Sequence, residues 1–221
     1  MSQDRETHRI EAFSDGVFAI AVTLLVLEIK VPSRDTVLSH GMTVALLELW
    51  PSYLAFLISF ITILVIWSHH HWIFAAIRRA DLVLVYWNGL LLLFVTFVPF
   101  PTGLLAEYLL HPDAKVAASL YTGTFLAISL VFHGLWLHAS KQGKLLAIDA
   151  TTSEHENAMR ITSHYRLGPI LYFGAFGTSF ITEMGSVTMC LLLALFFAFR
   201  GWPSDVGTNE SSRIGTWWAK G

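Results

Sequence analysis

Apolar residues in this chain come in long blocks separated by short polar stretches. Each block runs roughly 18 to 25 residues, the length a helix needs to cross the hydrocarbon core of a bilayer. The pattern predicts six spans: Ala12–Ile29, Pro51–Phe74, Leu82–Leu105, Val116–His138, Leu167–Thr182 and Ser186–Phe199. The last two are short and flank Glu183–Gly185, which reads as the tight turn of a hairpin. Pro99 and Pro101 predict a kink near the outer end of the third span, because proline removes helix hydrogen bonds. The longest polar linker is Ala139–Arg166, where Thr151–Glu154 resembles a capping box opening a short cytoplasmic helix. A polar tail follows Arg200 and ends near Trp217 and Trp218. The predicted fold is therefore an all-α integral membrane protein, with a six-helix domain over 1–200 and a tail over 201–221.

Composition supports this. Hydrophobic residues make up 54% of the chain and charged residues 14%, where a soluble domain has about 25% charged. Mean hydropathy is +0.58. A net charge of −2 gives no basic surface for a nucleic acid. Cys190 is the only cysteine, which excludes an intrachain disulfide and a cysteine metal cluster. The opening residues Met1 to Glu6 are acidic where a signal peptide would be basic, so the first apolar run is expected to stay as a span. With six spans, eleven of the fourteen lysines and arginines fall on the side of both termini, leaving Lys30, Arg34 and Lys115 on the other. That bias predicts cytoplasmic termini.

The first span, from Arg9 to Pro32, carries the most distinctive pattern. Arg9, Glu11, Ser14 and Asp15 cluster at its cytoplasmic end, where ionisable groups need partners. At about 100° per residue, Arg9, Phe13, Ile20, Thr23, Leu24 and Leu27 share one face, and Asp15 lies nearly opposite Ile20. One face is thus free to line something, while Asp15 turns back into its own bundle. Gly16, Ala19 and Ala21 permit close helix approach.

The run Arg9-Ile-Glu-Ala-Phe13-Ser14-Asp15 resembles the Arg-x-x-x-Phe-Ser-Asp signature of the transmembrane protein 175 family, whose members are lysosomal and prokaryotic potassium channels. Gly16 to Ile29 is also similar to the prokaryotic members, and the likeness extends in less detail over the six-span layout. The resemblance implies a potassium-selective channel without a Thr-Val-Gly-Tyr-Gly filter, and no such stretch occurs here. It implies a homotetramer whose central pore is lined by the first helix of each subunit. Ile20 would be the hydrophobic constriction, with Thr23 and Leu27 as further pore positions and Leu24 on the same face. Arg9, Phe13, Ser14 and Asp15 would clamp that helix, and Trp67 and His71 would help hold the first helices of neighbouring subunits. Expected partners are other copies of the chain, potassium ions and lipid. Permeant potassium is expected in the pore, with no cofactor. A single repeat points to a prokaryotic plasma membrane.

The second span ends Trp67-Ser68-His69-His70-His71-Trp72. Metal-binding histidines on one helix want i,i+4 spacing, and adjacent ones point apart, so no metal is expected. One or two should hydrogen-bond within the bundle, with the rest near the interface. Asn88 reads as helix–helix glue. No phosphate loop, Gly-x-Ser-x-Gly elbow or His-Glu-x-x-His motif occurs, which argues against an enzyme. The rival readings are a secondary transporter or proton conductor, and a non-conducting scaffold. A transporter needs polar groups near mid-membrane, and Asn88 and Thr23 are the best available.

Overall fold

A computed structural model describes residues 2–77, 79–140 and 167–200, and within them the chain is helical. Helix α1 spans Ser2–Leu24 and tightens into a 3₁₀ turn at Leu25–Glu28. Two short helices follow, α2 (Arg34–His40) and α3 (Met42–Glu48). Then come α4 (Trp50–Ala76), α5 (Leu82–Phe97), α6 (Pro99–Tyr108) and α7 (Ala114–Ser140). Helix α8 covers 167–179 and α9 covers Glu183–Arg200.

Among the described residues, four stretches are long and apolar enough to cross a membrane: Thr7–Glu28, Trp50–Ala75, Leu82–Tyr108 and Ala114–Ser140. The two remaining predicted spans appear as shorter helices. The described part of α8, 167–179, rises about 20 Å. The turn between α8 and α9 lies earlier than the pattern predicts. It falls at Phe180–Thr182, and Glu183–Gly185 is the first turn of α9. Thr182 Oγ1 accepts the Gly185 amide at 3.4 Å, which caps the helix there. Glu183 adds a negative charge where the helix dipole favours one. The linker between the first two spans folds into α2 and α3, with Ser33 capping α2 through the Thr36 amide. Gly41 joins them at φ +80°, a conformation that favours glycine. The capping box at Thr151–Glu154 and the tail at 201–221 lie outside the described residues.

Helix α1 packs on α4 and α5, α4 on α6 and α9, and α7 on α5, α6 and α9. The core draws Phe18, Ala21 and Leu25 from α1, Ile58, Ile63 and Phe74 from α4, and Tyr121, Phe125 and Trp136 from α7. The buried positions fall near whole turns of each helix, so each helix presents one stripe inward. Helix α8 lies along α7, where Tyr172 meets Phe125, and Tyr172 stacks on Phe197 of α9. Pro99 and Pro101 interrupt the third span as predicted. Val98 between α5 and α6 keeps helical angles (φ −53°, ψ −40°), so the interruption is a short one.

Two contacts yield predictions. The Trp87 ring of α5 lies on the backbone of Gly134 in α7, so a methyl there would sit 2.6 Å from the indole. Gly134→Ala should cost about 1–3 kcal/mol through overpacking, seen as a lower unfolding midpoint in detergent. At the start of α5, Asp81 accepts the Leu84 amide at 2.7 Å and His138 Nε2 of α7 at 2.9 Å. Burial raises the Asp81 pKa, but the Leu84 amide and His138 outweigh it and hold the carboxyl below its ordinary 3.8. Its stabilisation is therefore complete above the ordinary carboxylate range and fades as pH falls through the lower folded value. Asp81→Ala should lose about 1 kcal/mol at neutral pH, and the gap to the parent should close in strong acid in pH-dependent melts.

Candidate functional site

Helix α1 is divided into two faces. Thr7, Ser14, Phe18, Ala21 and Leu25 are buried against the bundle. Phe13, Ile20, Thr23, Leu24 and Leu27 stand on the opposite side, with Ile20 58% and Leu27 69% exposed. The spacing recurs every three or four residues on both sides, so the split follows directly from helical periodicity.

The buried face is fastened by a directed chain of hydrogen bonds. Ser14 Oγ donates to the Ile10 carbonyl at 2.8 Å, which leaves the oxygen free to accept. Asn88 Nδ2 of α5 donates to it at 2.9 Å. The Asn88 carbonyl oxygen then accepts from His70 Nε2 of α4 at 2.8 Å. This order requires the proton of His70 on Nε2. Its Nδ1 has no hydrogen-bond partner, and the ring lies 4.3 Å from Phe74 and 5.3 Å from Phe18, centre to centre. Three helices are thus joined by two bonds in the N-terminal half of α1, and the third bond, from Ser14 to Ile10, lies within α1.

A second set of contacts lies one turn away and is more exposed. Trp67 Nε1 donates to Asp15 Oδ1 at 2.8 Å, so Asp15 does turn toward its own bundle. His71 Nδ1 meets Glu11 Oε1 at 2.9 Å and stacks on Trp67, while His8 Nδ1 is 3.8 Å from the other Glu11 oxygen. All of these contacts lie within one chain. Of the residues singled out in the sequence, Ser14, Asp15, Trp67 and His71 come together here, whereas Arg9 and Phe13 are exposed.

The sequence places Glu11 among the groups that need partners and expects one or two of the three histidines to bond within the bundle, but it does not say that His70 is the buried one. The signal for His70 was present: it lies seven residues after Ile63 and four before Phe74, on the buried stripe of α4. The adjacent histidines point apart, and among the described residues no three His, Cys, Asp or Glu side chains are placed to hold a metal ion. Thr23 Oγ1 donates to the Ile20 carbonyl at 2.8 Å, as a lone helical threonine commonly does.

Comparison with known proteins gives a consistent result. Residues 9–99 match the family model described as endosomal/lysosomal potassium channel TMEM175. A potassium channel of Chamaesiphon minutus is 59% identical over 90% of this chain and 96% of its own length. The crystal structure of a lysosomal potassium-selective channel TMEM175 homolog from that organism superposes with a TM-score of 0.82 at 57% identity, covering 89% of this chain and 98% of the other. The zebrafish (Danio rerio) endosomal/lysosomal proton channel TMEM175 is 29% identical over 89% of this chain, which spans only 35% of that longer protein.

The buried chain makes an asymmetric prediction. Asn88→Leu should leave the His70 N–H without an acceptor and cost about 1–3 kcal/mol. Adding His70→Phe removes the stranded donor and should restore part of the loss, measured by thermal unfolding of both variants.

Proposed function

The chain belongs to the TMEM175 family of ion channels, and from that premise we propose that it is a potassium channel whose pore is lined by α1 of four copies. The observation that carries this reading is the free apolar face of α1. Its span is the least buried of the four long ones, at 22% against 39%, 39% and 50%. The helix that anchors most of the polar network in its cytoplasmic half is thus the one the bundle covers least, and three more copies supply the cover.

In this arrangement four Ile20 side chains form an apolar constriction, where thinning of water raises a barrier to ions. Thr23 lies one turn outward, about 4.5 Å along the axis. Because its proton is committed to the Ile20 carbonyl, its oxygen offers lone pairs, which suits a cation. Leu24 and Leu27 continue the lining outward. Six crossings with both termini in the cytoplasm follow from the lysine and arginine bias, α8 and α9 forming the fifth and sixth. A prokaryotic plasma membrane is the matching location. Proton conduction through the bundle itself is disfavoured, because the chain from His70 ends on the Ile10 carbonyl and passes through an amide, which does not relay protons.

Planar-bilayer recording under bi-ionic potassium/sodium conditions tests the reading. The reversal potential should favour potassium. Ile20→Asn should raise conductance several-fold, since about 1.4 kcal/mol off a barrier is a tenfold change in rate. Selective current indifferent to position 20 would move the constriction elsewhere. Current that follows a pH gradient would favour a proton channel, and no current from intact tetramers would remove the channel reading.

A further inference from the structure

The outer end of α1 is not held by the contacts that fix its cytoplasmic half. From Leu25 the backbone changes to a 3₁₀ turn, so the direction of Leu27 is not set by continuation of the α-helix. That turn packs against α4 and α6. The Glu28 side chain lies directly over Gly103 of α6, in the space a β-carbon would fill. The glycine permits this approach, and any larger residue displaces the carboxylate.

Helix α6 is itself held by a second buried chain of hydrogen bonds. Thr102 Oγ1 donates to the Val98 carbonyl at 2.8 Å. Ser59 of α4, 2.8 Å away, therefore donates to Thr102. Tyr121 of α7, 3.0 Å from Ser59, donates to Ser59 in turn. All three hydroxyl side chains are fully buried. The chain ends on Val98, at the bend where Pro99 and Pro101 withhold two amide protons. In an apolar interior each hydroxyl keeps its partner because no water can replace it. The bend of the third span is thereby tied to α4 and α7, and Thr102 adjoins the glycine that receives Glu28.

We infer that Tyr121, Ser59, Thr102 and Gly103 form an outer clamp that positions Leu27, separately from the inner clamp at Ser14 and Asp15. The inference rests on the reading of α1 as the pore helix. Leu27 is 69% exposed while Leu25 is fully buried, so a small rotation of the turn moves the outermost ring of the pore. These are positioning residues that act through the 3₁₀ turn.

The test is the rate at which a thiol reagent blocks current through Leu27→Cys channels, with Ile20→Cys probed from the cytoplasmic side as reference. The native Cys190 is buried, and the parent channel serves as its control. Thr102→Val and Tyr121→Phe, each added to the cysteine channels, should change the rate at position 27 by about tenfold, a typical size for coupled neighbours, and leave position 20 unchanged. Gly103→Ala should do the same, and it keeps the test available if a hydroxyl variant fails to assemble, because only the flexible end of Glu28 must move. An unchanged rate at position 27 would overturn the clamp, as would equal changes at both positions. Absence of block at position 27 in the otherwise unmodified channel would instead overturn the pore reading on which the clamp depends.

Discussion

A polar side chain inside a bilayer must find its partner within the protein, because no water is there to replace it. In this molecule the constraint acts through the bonds from His70 through Asn88 to Ser14. They give the first helix a single allowed rotation. Turning α1 by one residue would bring Phe13 or the Asp15 carboxylate against Asn88 and carry Ser14 away from its donor. With the rotation fixed, Ile20, Thr23 and Leu24 have to face outward, while Leu27 lies beyond the change to 3₁₀ geometry at Leu25. The lining of the proposed pore is thus decided by hydrogen bonds on the opposite side of the helix.

The two ends of α1 are secured by different means. Toward its N-terminal end the partners are charged or aromatic and partly wet: Asp15 with Trp67, and Glu11 with His71. Such contacts are individually modest where water competes. At the outer end the partners are hydroxyl groups and a glycine, dry and closely packed. The change from α to 3₁₀ geometry at Leu25 separates the two regions, so a displacement at one end need not pass unaltered to the other.

Much of the fold is legible in the sequence because the bilayer imposes a simple code. Long apolar runs, the glycine and proline breaks and the lysine and arginine bias each have one dominant cause. The interruption at Pro99 and Pro101 follows from the missing amide protons. The hairpin turn was misplaced for a local reason: Thr182 and Glu183 make a helix start that an apolar pattern does not register. Helices α2 and α3 escaped for a related reason, since seven-residue helices are too short to show a period.

The sequence by itself determined that α1 has two faces, because helical periodicity places Ile20, Thr23 and Leu27 together and Asp15 nearly opposite. It also determined that polar groups at the cytoplasmic end required partners. Only the tertiary structure decided which partners those are. Three adjacent histidines look alike in sequence, yet the packing of α4 turns His70 inward to Asn88 and His71 outward to Glu11. Ser59, Thr102 and Tyr121 lie on three helices, 43 and 62 residues apart from Ser59, and each is unremarkable alone. Their meeting depends on the crossing of α4, α6 and α7, and such long-range geometry is set by how side chains of different helices fit together, which no local pattern records.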